Sequence, residues 1–164
     1  ERAEGPLGTV TAACGCDPEL EAFVGELLTD WTDARIKMFV MACALRLRRL
    51  EQALFVEGAY DPLRAEGAEA SHVVAFARTL GEKTPIAAVP RLMNHRLPEA
   101  PRIPIGGEAW NDTRLFLAPK AATSVFRHVF TGARMRPDEQ GALLASELFR
   151  TSPVALLMSD DTKA

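Results

Sequence analysis

The hydrophobic period of this sequence changes once, after Gly58, and that change limits the folds open to the chain. Before it, over residues 33–50, Ile36, Phe39, Val40, Cys43, Leu47 and Leu50 recur mostly three or four residues apart. That spacing lines one face of an α-helix. Arg35, Lys37, Arg46, Arg48 and Arg49 fall mainly elsewhere, and three of them crowd the C-terminal end, where the helix dipole favours cations. Thr32 or Asp33 is placed to cap the start. After Gly58 the period becomes two, so strands replace helix. A helix that buries one face and then feeds a sheet is a junction, with something helical behind it and a β-domain ahead.

At 164 residues the chain holds one domain, or one small domain with an appendage. A hydrophobic fraction of 48% supports a real core, and a charged fraction of 25% is ordinary for a soluble protein. The net charge of −3 gives no basic surface of the kind nucleic acid requires. No apolar run approaches the length of a membrane span. The first ten residues carry no signal pattern and no initiator Met, so a piece of a longer, cytoplasmic protein is expected. Cys14 and Cys16 form C-x-C and Cys43 lies inside the helix. Three such thiols are expected to be reduced rather than paired, and His72, His95 and His128 lack metal-ligand spacing. No metal and no cofactor is therefore expected.

Taken in order, residues 1–16 are small, Gly-rich and aperiodic, a flexible lead-in. Residues 17–53 are helical. Asp17-Pro18-Glu19 is a helix start, with Asp at the cap and Pro at the first position. Leu20, Phe23, Val24, Leu27 and Leu28 then form a stripe, and the short link to residue 33 lets the two helices pack as a pair. Residues 54–158 read as short strands divided by Gly and Pro: 63–66, 72–78, 85–92, 113–117, 125–130 and 154–158, with 143–149 either a strand or one helical turn, the short strand preferred. Residues 79–84 form a hairpin loop, 94–105 a Pro-rich surface loop, and 136–140 a polar turn. Residues 159–164 are a polar tail expected to fray. The fold class is α+β: an N-terminal helix pair followed by an antiparallel β-sandwich.

No catalytic constellation is present. Gly106-Gly107 stands alone, without a phosphate loop. Ser71 and His72 are neighbours that on a strand would face opposite ways. No carboxylate pair is marked for glycosidic chemistry. Three residues are weighed as glycan contacts. Trp110, in a turn before a strand, can stack on a sugar or plug the β-core, and the plug is preferred. Tyr60 is the sole tyrosine. Arg91, with Arg96, flanks an irregular segment, where local pairing or solvation is the commoner role.

Several stretches resemble the C-terminal end of maltooligosyltrehalose synthases, members of glycoside hydrolase family 13 in the α-amylase superfamily. They are DARIKMFVMACALRLRR at 33–49, LFVEGAYDPLRAEG at 54–67, HVVAFAR at 72–78, AAVPRL at 87–92, AWNDTRLFLAP at 109–119, FRHVFTGAR at 126–134 and SPVALL at 152–157. Order and approximate spacing resemble the family's own over most of 30–158. Asn111 stands where a Gly is usual, His128 where an Asp is usual and Ala59 where an acid is common. The break at residues 50–53 lacks the usual Pro.

The resemblance implies a parent enzyme with a (β/α)₈ barrel that isomerises the reducing-end α-1,4 linkage of a maltooligosaccharide to α,α-1,1 in trehalose biosynthesis. It implies that 33–50 is the last barrel helix, that 54–158 is a C-terminal β-domain of the α-amylase type, and that none of the catalytic positions lies in this chain. The expected partners are the rest of the parent enzyme and, through it, maltooligosaccharide, with no nucleic acid and no membrane. The alone-standing chain is expected to be inactive and to stabilise the barrel, burying Ile36, Phe39, Val40 and Leu47 against absent neighbours; without them, that face is expected to be hidden by self-association or by the 17–29 helix folding over it. The alternative is an α-glucan-binding module or a stand-alone interaction protein. An aromatic content of 7% is low for sugar platforms.

Overall fold

Pro18 opens helix α1 (Pro18–Thr29) at the position where a missing N–H costs nothing. The computed structural model describes residues 18–93 and 103–160. The expected lead-in at 1–16, Asp17, His95 and Arg96 lie outside those residues. A 3-10 turn (Trp31–Asp33) connects α1 to α2 (Arg35–Leu50). The cap of α2 differs from the expected Thr32 or Asp33. Ala34 holds the cap position with φ +66°, and Asp33 reaches past it to accept the Arg35 N–H at 2.8 Å. That bond, followed by the Arg35 guanidinium, holds the Asp33 carboxyl below the usual carboxylate range. A short α3 (Gln52–Glu57) ends at Gly58, where the sequence period changes. No helix among the described residues is long and apolar enough to cross a membrane.

The strands that follow form two antiparallel sheets. The larger has six strands, in the spatial order β1 (Ala59–Pro62), β3 (Val73–Thr79), β4 (Pro85–Pro90), β9 (Ala155–Asp160), β6 (Val125–His128) and β7 (Arg134–Met135). The smaller has three, in the order β2 (Arg64–Glu66), β5 (Arg114–Phe116) and β8 (Ala142–Leu144). The segment 63–66, expected as one strand, belongs to a chain that crosses between sheets. Pro62 ends β1, Leu63 turns the corner with its N–H on the Ala75 carbonyl at 2.9 Å, and β2 joins the other sheet. Residues 79–84 form the expected hairpin loop, with Leu80 bridging Lys83 and Gly81 at φ +62°.

Alternation places Ala75, Ala77, Ile86, Ala88, Ala155 and Leu157 on one face of the large sheet. Against them pack Leu115 and Leu143 of the small sheet, with Trp110 from α4 (Gly107–Trp110) and Leu148 from α5 (Ala145–Leu148). This is the main core. The opposite face of β9 presents Leu156 and Met158 to a second core, built from α1, α2, Val129 and Phe130. Strand β9 is thus covered on both sides, and its near-continuous apolar run follows from that.

Two elements depart from the expected pattern. Residues 143–149, whose pattern prefers a short strand to one helical turn, are the end of β8 and then the helical turn α5. Ala145, Leu148 and Phe149 are all buried, a spacing of three and four that a strand cannot bring to one side. The tail expected from residue 159 begins later. Ser159 and Asp160 belong to β9, Asp160 opposite Val125 and 2.8 Å from the Arg134 guanidinium. Residues 161–164 lie outside those described.

Candidate functional site

Helix α2 carries two apolar faces. Phe39 and Cys43 are buried, with Ile36, Val40 and Leu47 beside them. Their cover comes from this chain itself. Phe39 meets the Phe23 ring of α1 edge-on at 5.6 Å and the Phe130 ring after β6 at 6.2 Å. Of the covers expected for this face, the structure shows the fold-over of the first helix: α1, together with the outer side of the large sheet, fills it, and no absent neighbour is needed there.

The open face is a different one. Met38, Met41 and Leu45 are 73%, 53% and 60% exposed. At about 100° per residue they fall within an arc of about 60°, on the side of the helix away from Phe39 and Cys43. Arg48, Arg49 and Lys37 border this stripe, and the helix is polar only in its first turn, at Arg35 and Lys37, and again from Arg46 onward. Residues 38–45, MFVMACAL, hold no polar side chain apart from the Cys43 thiol. A helix apolar on every side belongs in an interior. The uninterrupted apolar run at 38–45 carries both faces, whereas the three-and-four spacing of Ile36, Phe39, Val40 and Cys43 marks only the buried one.

Replacing Met38, Met41 and Leu45 together by Gln is expected to leave the urea midpoint within the small range typical of surface changes, about 0.5 kcal/mol per site. It should also abolish any concentration-dependent light scattering. Phe39→Ala, on the opposite side, is expected to cost about 3–5 kcal/mol.

The three residues weighed as glycan contacts do not form a platform. Trp110 is fully buried, its ring stacked on Phe149 at 4.5 Å and its Nε1–H donated to the Pro104 carbonyl at 3.0 Å. It plugs the core, so no sugar reaches it. Tyr60 is 58% exposed and lies on Phe76 at 5.0 Å. It pairs with Arg78 at one end of β3, whereas the Arg91 N–H bonds the His72 carbonyl just before the other end. Six residues of extended chain separate those points by roughly 20 Å. Ser71 and His72 lie in a 3-10 turn (Ala70–His72) rather than on a strand, and His72 Nδ1 is 3.3 Å from the Arg91 carbonyl. Among the described residues no three His, Cys, Asp or Glu side chains gather as a metal site.

The class this defines is an α+β domain in which a helix pair rides on a two-sheet antiparallel body, with an uncovered apolar helix face as its most distinctive surface. Comparison with known proteins points to where such a domain occurs. No family model matches the chain. Proteins from two strains of Mycobacterium tuberculosis, bearing the provisional name of maltooligosyl trehalose synthase, are 37% identical over 125 residues, 76% of this chain and 14% of each relative. Among solved structures, a point mutant of maltooligosyltrehalose synthase from Arthrobacter ramosus matches with a TM-score of 0.56 and 28% identity, over 88% of this chain and 17% of that one. Sequence and structure thus agree: the chain is similar to part of maltooligosyltrehalose synthases, and it spans about one-seventh of the length of the curated relatives it matches.

Proposed function

We propose that this chain is the non-catalytic C-terminal part of a maltooligosyltrehalose synthase, a cytoplasmic enzyme that isomerises the reducing-end α-1,4 linkage of maltooligosaccharides to α,α-1,1. Its task is structural. Helix α2 is the joint, with Phe39 and Cys43 facing the β-body and Met38, Met41 and Leu45 facing the catalytic remainder of the polypeptide. The observation that carries this reading is the second apolar face of α2, on a chain similar to one-seventh of a longer enzyme. Packing that face against apolar neighbours would remove three large side chains from water, at about 1.5–3 kcal/mol for each one fully buried.

The reading is tested by incubating the purified chain with maltohexaose and following loss of reducing ends. The expected result is no conversion at any protein concentration. Formation of a non-reducing product would mean that the chain holds its own active site. Retardation in glucan-affinity electrophoresis, removed by Tyr60→Ala, would favour the α-glucan-binding module instead.

A further inference from the structure

Two apolar cores share one seam, and a histidine occupies it. His128, the last residue of β6, is 2% exposed. Its own N–H bonds the Ala133 carbonyl at 2.7 Å, and it pairs with Leu157 of β9. Its Nδ1 accepts the Phe130 N–H at 3.2 Å. A nitrogen that accepts carries no proton, so the ring is the neutral Nε2–H tautomer. His128 lies opposite Leu157, on the main-core side of the sheet, and its Nε2–H is buried without a hydrogen-bond partner.

The Nδ1 bond fixes the turn that builds the helix core. Val129 and Phe130, the two residues after His128, are 1% and 3% exposed and lie in the core beneath α1 and α2. A chain of ring contacts runs from His128 to Phe130 (5.6 Å), from Phe130 to Phe39 (6.2 Å) and from Phe39 to Phe23 (5.6 Å). A proton on Nδ1 would set two donors, the ring N–H and the Phe130 N–H, against each other in a dry site, with a charge added.

We infer that His128 is an acid-sensitive latch: its neutral ring holds the helix pair on the β-body through the Phe130 turn, and protonation releases the pair before the main core opens.

The surroundings give the ring no counter-charge. Arg134 of β7 and Asp160 of β9 are engaged with each other at 2.8 Å, and Arg150 beyond α5 pairs with Glu21 of α1 at 3.2 Å. Arg127 precedes His128 on β6, and Glu147 lies on α5. None of these sets its titration. Burial does, pushing the ring down to about 4 from the ordinary 6.5, against a smaller opposing influence of the Leu148 backbone. The sign follows. The docked state favours the neutral ring, so its stability is full above about pH 6.5 and falls as pH drops toward about 4. The helix side yields first because the bond that protonation destroys is the one to Phe130, whereas the main core is tied by both sheets.

Cys43 and Trp110 separate the two events. Cys43, on the inner face of α2, is 1% exposed, its thiol pushed up to about 11 by burial, and Trp110 is fully buried in the main core. A chain with Cys14→Ser, Cys16→Ser and Trp31→Phe keeps one thiol and one tryptophan. Labelling of Cys43 by dithiodipyridine, which reacts in acid, is measured relative to the unfolded chain at each pH. The expected result is a rise of about 30-fold between pH 7.5 and pH 5 with Trp110 emission unchanged. His128→Asn, which keeps an acceptor for Phe130 and cannot titrate, should reduce the rise to less than threefold. A flat labelling rate, a rise that persists in His128→Asn, or Trp110 emission moving together with Cys43 would overturn the latch. Should His128→Asn fail to fold, an NMR titration of the three histidines decides it. The latch requires the His128 ring to remain neutral at pH 6 and to protonate as the Phe39–Phe130 contact is lost. Protonation in the ordinary histidine range with that contact intact overturns it.

Discussion

Gly67→Ala is expected to destabilise the chain by about 3–5 kcal/mol, a large share of what holds a domain of this size together. Gly67 ends β2 with φ +110°, a conformation L side chains rarely adopt. A Cβ there would lie 2.7 Å from the Thr113 Cα, 2.9 Å from the Thr113 nitrogen and 3.0 Å from the Asp112 carbonyl oxygen. All three are backbone atoms, so no side chain can rotate aside. The two segments are also stitched together. Ala68 N–H donates to the Asp112 carboxylate at 3.0 Å and Glu69 N–H to the Thr113 hydroxyl at 2.9 Å. Asn111 Nδ2 donates to the buried Glu69 carboxylate at 3.3 Å. Forcing the strands apart would break this set together. Gly81→Ala is the control: φ is +62° but nothing lies within 4 Å of the added carbon, so only the backbone cost of about 1 kcal/mol is expected. Urea unfolding of the two variants makes the comparison.

Trp110→Ala is expected to cost about 3–5 kcal/mol as well, through the cavity it leaves. The indole fills the junction between α4 and α5, stacked on Phe149 at 4.5 Å, with its N–H satisfied by Pro104. Trp110→Phe keeps most of the ring contact and loses the bond to Pro104, for which about 1–2 kcal/mol is expected. Urea midpoints measure both. Neither variant should change the mobility of the folded chain in glucan-affinity gels, because the ring reaches no solvent. A loss of glucan affinity in a variant that remains folded would restore Trp110 as a sugar contact.

The period change after Gly58, the pairing of α1 with α2, the antiparallel body and the burial of Trp110 follow from local patterns, and the structure carries all four. The series of stretches from 33 to 157 also pointed to the synthases that both comparisons name. What local pattern could not supply was partnership. The buried face of α2 is legible in Ile36, Phe39, Val40 and Cys43, but which neighbour covers it depends on Phe130, some ninety residues away. The expected strand at 63–66 is β2, but β1 at Ala59–Pro62 before it belongs to the other sheet, and only the long-range pairing of Leu63 with Ala75 fixes the corner between them. Residues 143–149 alternate weakly enough to pass as a strand, yet Ala145, Leu148 and Phe149 hold the helical spacing. The positive φ of +46° at Asn111 also explains why a Gly would suit that position. Its side-chain bond to Glu69 offsets part of the strain. In the sequence His128 stands out as one of three histidines without metal-ligand spacing and as a departure from the family's Asp. Its burial at the seam comes from tertiary structure, not from its neighbours in sequence.

The central claim is that this chain works as the structural end of a much longer enzyme, joined to it through the Met38, Met41 and Leu45 face of α2. The most direct test is the mass of the polypeptide that carries this segment in its source cells, read by immunoblot with an antibody raised against the β-body. A single band several times heavier than 17.9 kDa is the predicted result. A stable band at 17.9 kDa would contradict it, leaving the Met38, Met41 and Leu45 face without the partner proposed for it.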